Sequence, residues 1–546
     1  MDSIHAVPQQ LFQPEAFPDS TMVMQRLDDI ISTLHHEGYL AARIDSLHLE
    51  QQKYHAFITS GAPFLWHITD TNVEEVILQS LNLAPLTGKE FSAPALQKVK
   101  QQLIRYYESN GYPFARIVMD QISIEEPIIK ASLIAEPMSF YSFDTLQLAG
   151  NIQVNPRFLS NHTDIRPGEP YDQQIASMVS ARLSELPFLK LTGEPSVTFI
   201  QQKARVSVPV EERRSNRFDG IAGLGGSGTP TDPYRLTGML NLSLTNALER
   251  GESFDIQWQG LSQGSQRLEV KASYPYIFSS PVIAGMEFSL HKQDSSYITI
   301  RRMPRFAFRT ASTILLSAFA DFRSTNVLGS SPETIENGSP EPINSSVVLY
   351  GLEFLRQSPG FLNGFREGYR FGLSMAAGNR TIRKNIIANQ KPIEDDDLRQ
   401  NQWTFSLETS FRWPLLANLS LVSQLEASGI FAKRLYENEL FRIGGFQDLK
   451  GFDEESIVAS GFGVVTQELR YFTGEMSFVS LLFNAAWYQK DIPDHYLQGW
   501  PWGVAAGISL ETAPGILSVY YALGKQPEVP LSFRNARIHF GFISLF

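Results

Sequence analysis

The stretch Arg442-Ile-Gly-Gly-Phe-Gln-Asp-Leu-Lys-Gly-Phe452 sits between amphipathic β segments, and its paired glycines, Gly444 and Gly445, followed by Lys450-Gly451-Phe452, mark it as a loop. Upstream of it, Trp403, Phe405, Leu407, Phe411 and Trp413 alternate with Thr404, Ser406, Glu408, Ser410 and Arg412. Leu419, Leu421, Leu425 and Phe431 then alternate with Ser420, Gln424, Glu426 and Ser428, and earlier Phe254, Ile256 and Trp258 alternate with Asp255, Gln257 and Gln259. The period of two runs from about Phe218 to the end of the chain. One face of each strand can meet lipid while the other meets water. A soluble sandwich would not keep its polar face so uniform over so many strands.

Length and composition fit that reading. A chain of 546 residues allows small domains in tandem before one large one. No run approaches the roughly eighteen consecutive apolar residues that a membrane helix needs, which excludes a helical membrane protein. Barrel strands escape such a scan because only one side of each is apolar. Aromatic residues make up 12% of the chain, with 37 Phe, 19 Tyr and 7 Trp, as an outward aromatic surface requires. Connections alternate in length: Trp413–Asn418 and Tyr274–Pro281 read as short turns, whereas 325–345, 377–401 and 432–460 read as long loops. Short turns on one side and long loops on the other are the pattern of an outer-membrane barrel, here with about sixteen antiparallel strands. Zero cysteines agree with an oxidising compartment. Residues 1–5 lack the basic start and apolar core of an export signal, so a mature form is expected.

The N-terminal third repeats itself. Glu37-Gly-Tyr-Leu-Ala-Ala-Arg-Ile44 returns as Asn110-Gly-Tyr-Pro-Phe-Ala-Arg-Ile117, each copy following an amphipathic helix. The first helix carries Val23, Leu27, Ile30, Ile31 and Leu34, and the second carries Leu96, Val99, Leu103 and Tyr107. The glycine should end the helix and a strand should follow. An earlier helix carrying Val76, Ile77 and Leu81 is predicted to open with Asn72 and Glu75 as a capping pair. A third unit has Asp164-Ile-Arg-Pro-Gly-Glu-Pro-Tyr171 before a helix with Val179, Leu183 and Leu186, and ends on the alternating valines of Arg205–Val210.

These features together resemble the POTRA-plus-barrel outer-membrane assembly family of BamA, TamA and the two-partner secretion translocators. The glycine-tyrosine turns and the Pro-Gly-x-x-Tyr approach resemble POTRA modules. Gly444, Gly445, Lys450, Gly451 and Phe452 resemble the family's inward-folded loop, with lysine in place of its arginine. Arg537–Phe546 resembles the family's closing strand, with Ile538, Phe540, Phe542 and Phe546 on one face and Ser544 interrupting it. The expected fold is α+β POTRA modules before an all-β transmembrane barrel. The expected domains are an incomplete module at 1–66, with no clear opening strand or helix in residues 1–21, then modules at 67–140 and 141–212 and the barrel at 213–546. By the resemblance, the loop cation meets acidic wall residues. Thr466-Gln-Glu468-Leu-Arg-Tyr471 matches a strand motif of the family and makes Glu468 the expected partner of Lys450, while Asn484-Ala-Ala486 stands where the family has Asp-x-Gly. A lysine offers no planar fork, so the loop should be held differently here.

The resemblance also implies a role: inserting barrel proteins into the bacterial outer membrane through a weak seam, or alternatively exporting polypeptides through the lumen. The expected seam joins Phe218 and glycines 223, 225, 226 and 228 to Phe540, Phe542 and Phe546, with fewer ladder bonds than its neighbours. Partners would be outer-membrane lipid, unfolded client polypeptides and a periplasmic or membrane-spanning protein, with the modules in the periplasm. Nucleic acid is not expected at a net charge of −11, and neither is a cofactor. Gly260-Leu-Ser262-Gln-Gly264 satisfies a nucleophile-elbow pattern, but it joins two strands and reads as a hairpin, so no enzyme is expected. Glycines 223, 225 and 228 satisfy a dinucleotide fingerprint without the helix or the acidic ribose ligand it needs. His35-His36 has no partner cluster and reads as a helix end rather than a metal site.

Overall fold

The computed structural model describes residues 17, 19–51, 53–81, 87–229, 232–261, 265–311, 313–328, 342–358, 367–383, 398–493, 495–512, 514–525 and 533–545. The chain divides into two compact units: Met1–Thr145, Ile165–Ser177 and Val197–Val206 form one, and Leu146–Asp164, Met178–Ser196 and Ser207–Phe546 form the other.

In the first unit, helix Ser20–His36 starts at Asp19, whose carboxylate accepts from Met22 N at 2.9 Å. Its apolar stripe buries Leu27, Ile30 and Leu34. Gly38 follows at φ +104°, and a Cβ there would lie 2.3 Å from the Phe91 carbonyl oxygen, so glycine both ends the helix and admits the next module. His35 and His36 contact the carbonyls of Ala42 and Ser32. A hairpin, Arg43–Glu50 with Lys53–Thr59, completes the described part of this module. The expectation for residues 1–21 falls largely outside the described residues.

The second module runs strand Leu65–Thr71, helices Glu75–Ser80 and Ala93–Glu108, then strands Arg116–Glu125 and Ile128–Glu136. Ile128–Glu136 is the middle strand, parallel to the first and antiparallel to Arg116–Glu125. Leu103, Tyr107, Val73, Ile117 and Leu133 make its core. Asn72 does not cap the short helix, whose N-cap is Glu74. Its amide instead exchanges two 2.7 Å bonds with the Ala135 backbone. Pairing both faces of that amide to a strand satisfies more groups than one cap bond does, so tertiary pairing wins over the local motif.

The third module places helices Pro156–Thr163 and Gln173–Ser184 before strands Leu189–Leu191, Ser196–Ile200 and Lys203–Glu212. Leu186 lies past its predicted helix but stays buried, and the alternating Val206, Val208 and Val210 are buried as well. Ser142–Phe143 pairs in parallel with Lys203–Ala204, and Gln147–Ala149 pairs in parallel with Ser207–Pro209.

From Arg217 onward the second unit is a closed antiparallel barrel. Its path has seventeen strand segments, and His495–Gly499 and Trp502–Thr512 are halves of one strand broken at Trp500-Pro501, which leaves sixteen strands. The alternation works as read. In strand Arg399–Leu416, Trp403 and Trp413 are exposed while Gln400, Gln402 and Ser410 are buried toward the lumen. Tyr350, Leu352, Phe431 and Leu481 extend the apolar exterior, while Asp321, Arg380 and Glu468 are buried. Ser253–Gly260 and Gln266–Tyr274 form the predicted hairpin, with Ser262–Gly264 outside the described residues.

Candidate functional site

The loop between strands Leu419–Ala432 and Gly461–Phe472 returns into the lumen with its own hairpin, Phe441–Ile443 paired with Ile457–Ala459. Ile443, Leu449, Phe452, Ile457 and Ala459 pack together and against Phe462, Val464 and Ala486 of the wall. The loop therefore has a small core of its own. Its root is fixed by Arg380, whose Nη1 donates to Glu439 Oε2 at 2.8 Å and to the Arg434 carbonyl at 2.6 Å, while Nη2 donates to Gln400 Oε1 at 2.9 Å. Both side chains of this ion pair are fully buried.

At the tip the glycines have distinct reasons. Gly445 has φ +99°, and a Cβ would overlap the Glu454 carboxylate, whose Oε1 accepts from Phe446 N at 2.8 Å. Gly451 lies flat on the wall: a Cβ would come 2.6 Å from Gly524 N. The wall answers with glycines of its own. Gly503 and Gly524 are opposed on adjacent strands, and side chains there would strike the Lys450 and Gly451 carbonyls at 2.4 Å. Nothing in the sequence marks this notch, since two glycines 21 positions apart look unrelated until the register brings them together.

The expected Lys450–Glu468 ion pair is replaced by a relay. Lys450 Nζ donates to the Phe446 carbonyl at 2.8 Å and lies over the rings of Phe446, at 4.7 Å, and Tyr520, at 5.5 Å. Tyr520 in turn donates from its hydroxyl to Glu468 Oε1 at 3.0 Å. The other carboxylate oxygen of Glu468 accepts twice from Arg470, at 3.0 and 2.6 Å. Arg470 stands two residues further on the same strand face, so it reaches the carboxylate before the loop can. Asn484 does touch the loop, donating from Nδ2 to the Lys450 carbonyl at 3.4 Å.

Other loop carboxylates are held by residues for which the sequence suggested no such role. Asp453 pairs with Arg537, Glu455 with Arg267 at 2.8 Å, and Glu454 accepts from Gln259 Nε2 at 3.2 Å.

Closure joins Arg217–Leu224 to Ile538–Leu545 through eight register pairs. The seam does not stand out by length from both of its neighbours: eleven pairs join the first and second strands, and seven join the last two. The nine-residue closing strand limits both of its pairings. Phe218 faces Ser544, Phe542 faces Gly220 and Gly223 faces His539. Gly225 and Gly226 have partners on the second strand but lie beyond the closing register. Phe218 and Phe540 are exposed on the outer face, and Phe546 lies outside the described residues.

Below the barrel, helix Pro156–Thr163 lies against the short turns. Asn155 N donates to the Glu249 carbonyl at 2.7 Å, Arg157 to Ser279 Oγ at 2.8 Å, and Arg309 to Glu185 at 2.8 Å. His162 Nε2 is 2.7 Å from the Arg182 carbonyl, which only accepts, so Nε2 carries the hydrogen and Nδ1 accepts from the Tyr276 hydroxyl at 2.7 Å. Burial, reinforced by the neighbouring Arg309 and Arg182, holds the His162 pKa down at about 4.

No described protein family matches this sequence, and no curated protein does. Solved structures do. The chain is similar to CdiB from Acinetobacter baumannii, 10% identical over 97% of this chain and 100% of that one, with a TM-score of 0.56. It is similar to CdiB from Escherichia coli, 14% identical over 98% and 100%, again with a TM-score of 0.56. BamA from Haemophilus ducreyi lacking POTRA domains 1–3 aligns at 14% identity over 88% of this chain and 99% of that one, with a TM-score of 0.47. The likeness to the two CdiB structures is one of fold: small α+β modules followed by a sixteen-stranded barrel. A closed barrel with an apolar outer face and a polar interior is the architecture of a transmembrane barrel.

Proposed function

We propose that the protein inserts client polypeptides into the outer membrane by letting an incoming β-strand add at the barrel seam. One observation carries the reading: among the described residues, closure stops at Leu224↔Ile538, while the first strand continues to Thr229 with partners on the second strand alone. Main-chain groups left without partners in a bilayer are costly, and a strand laid along that edge satisfies them. The glycines at 223, 225, 226 and 228 lower the cost of changing partners, because they contribute no side-chain packing to the edge. Edge strands of the periplasmic modules can hold a client by the same main-chain bonding. No fuel is needed, since closure of the client barrel itself removes exposed edges.

A second reading, export of a polypeptide through the lumen, is favoured by the way the tip is held. Lys450 has one carbonyl and two ring faces but no carboxylate at ion-pair distance, so its withdrawal strands no carboxylate. Reconstitution in liposomes separates the two. With the seam locked by an introduced disulfide, insertion of a barrel client should stop. Continued export of an unfolded passenger by the locked protein, with no acceleration of barrel insertion by either form, would replace the first reading by the second.

A further inference from the structure

We infer that the inward loop is the latch of the seam: Asp453, directly after Phe452, holds the closing strand through Arg537, so that release of the loop and opening of the seam are one event. The inference rests on the seam reading above and adds what controls it.

Arg537 is the first residue of the closing strand. Its guanidinium meets the Asp453 carboxylate in a fork, Nε to Oδ1 at 2.8 Å and Nη2 to Oδ2 at 3.1 Å. Two residues on, on the same lumenal face, the His539 ring lies 5.4 Å from the Phe446 ring of the loop. The first strand offers little in return. Gly223, opposite His539, has no side chain; Gly541, opposite Ile221, has none on the other strand. Asp219, opposite Ile543, is turned to Arg217 and Asn241, within its own strand and the second. Among the described residues, no side-chain hydrogen bond spans the two seam strands. On the lumenal side, then, the closing strand is tied by its side chains to the loop, and to the first strand by main chain alone.

This arrangement gives the loop leverage over the seam. Arg537 lies one residue past the last seam pair, Leu224↔Ile538, so while the fork is made the end of the closing strand cannot peel away from the first strand without also leaving Asp453. When the loop withdraws, the top of the closing strand loses its polar anchor, at the level where closure already ends. The pair is also accessible to change, since Asp453 is 35% exposed and Arg537 16%. A fully buried pair would be a structural strut rather than a latch.

The chain has no cysteine, so Ala222→Cys with Phe540→Cys, directly opposed across the seam, reports closure through the rate of disulfide formation under mild oxidation. In liposomes, Asp453→Ala should slow trapping about tenfold, equivalent to about 1.4 kcal/mol. The exchange Asp453→Arg with Arg537→Asp should recover most of the rate. Asp453→Asn, of the same shape, should lie between them, guarding against an effect of misfolding. Trypsin supplies the second measurement: cleavage after Lys450 should rise in Asp453→Ala and fall again once the seam disulfide is made. Trapping as fast in folded Asp453→Ala as in the parent would overturn the latch, and so would loop cleavage indifferent to the disulfide. Slowed trapping establishes the latch even if a locked seam leaves client insertion untouched, a result that would sink the insertion reading alone.

Discussion

The root and the tip of the inward loop are held by opposite means. At the root, the Arg380–Glu439 pair is fully buried, and the guanidinium also satisfies the Arg434 carbonyl and Gln400. At the tip, Lys450 rests on a carbonyl and two rings, and the Asp453–Arg537 and Glu455–Arg267 pairs each keep one side chain about a third exposed to solvent. Breaking the first strands a charge in a dry site; breaking the second lets water take over. A loop attached in this way pivots rather than leaves. The largest test of the contrast is Arg380→Ala, which orphans Glu439 and should cost about 3–5 kcal/mol. Chemical unfolding in detergent would show it. A loss under about 1 kcal/mol would erase the distinction between root and tip.

The same buried, fully partnered kind of contact recurs under the barrel at His162, which sharpens the comparison because it can be broken by protons alone. Its folded pKa of about 4 lies below the ordinary 6.5, so between these values the unfolded chain binds more protons. The stability it contributes is intact above pH 6.5, declines as pH falls and is gone at about 4. The total is about 3 kcal/mol, from some 2.5 units at about 1.36 kcal/mol each. His162→Gln should remove that slope from a pH series of unfolding curves. An unchanged slope would show that the helix is not docked through a neutral imidazole.

The legible parts of the molecule were those with short-range periodicity. Alternation over Trp403–Trp413 gave the barrel, the repeated Gly-Tyr turns gave the modules, and both are local consequences of strand pleat and helix stripe. The loop was legible from Gly444-Gly445 and Lys450-Gly451-Phe452, but its partners were not. Asp453–Arg537 spans 84 positions and Arg380–Glu439 spans 59, and nothing local says which charges the register will bring together. The strand motif points to Glu468 as the partner of Lys450, but Arg470 occupies the Glu468 carboxylate because the strand pleat aligns it first. The Asn72 cap failed for a similar reason, since a strand backbone 63 residues away competed for the same amide.

The wall notch tests the tip without touching a charge. Gly524→Val puts a branched side chain where the Gly451 carbonyl already lies within 2.4 Å of an ideal Cβ. Overpacking of this kind costs about 1–3 kcal/mol. Here the strain can be relieved by undocking the tip, so the loss should appear as faster trypsin cleavage after Lys450 and hardly at all in unfolding of the barrel. Equal effects on both would mean that the tip is as firmly built in as the root.

The smallest effect distinguishes a relay from an ion pair. If Lys450 and Glu468 met directly in the lumen, removing either would leave the other uncompensated, and a double-mutant cycle of Lys450→Met and Glu468→Gln would show coupling of several kcal/mol. With the Tyr520 ring and hydroxyl between them, each charge keeps its nearer partners: the Phe446 carbonyl for the ammonium, and Arg470 for the carboxylate. Coupling should then stay under about 1 kcal/mol, and Tyr520→Phe, which removes one hydrogen bond to Glu468, should cost about 1 kcal/mol in the parent. The same substitution should also shrink the residual coupling, because the hydroxyl is the step that passes charge from the carboxylate to the ring under Lys450. Coupling that survives Tyr520→Phe undiminished would mean that the two charges sense each other directly, and that the tip, like the root, is held by an ion pair.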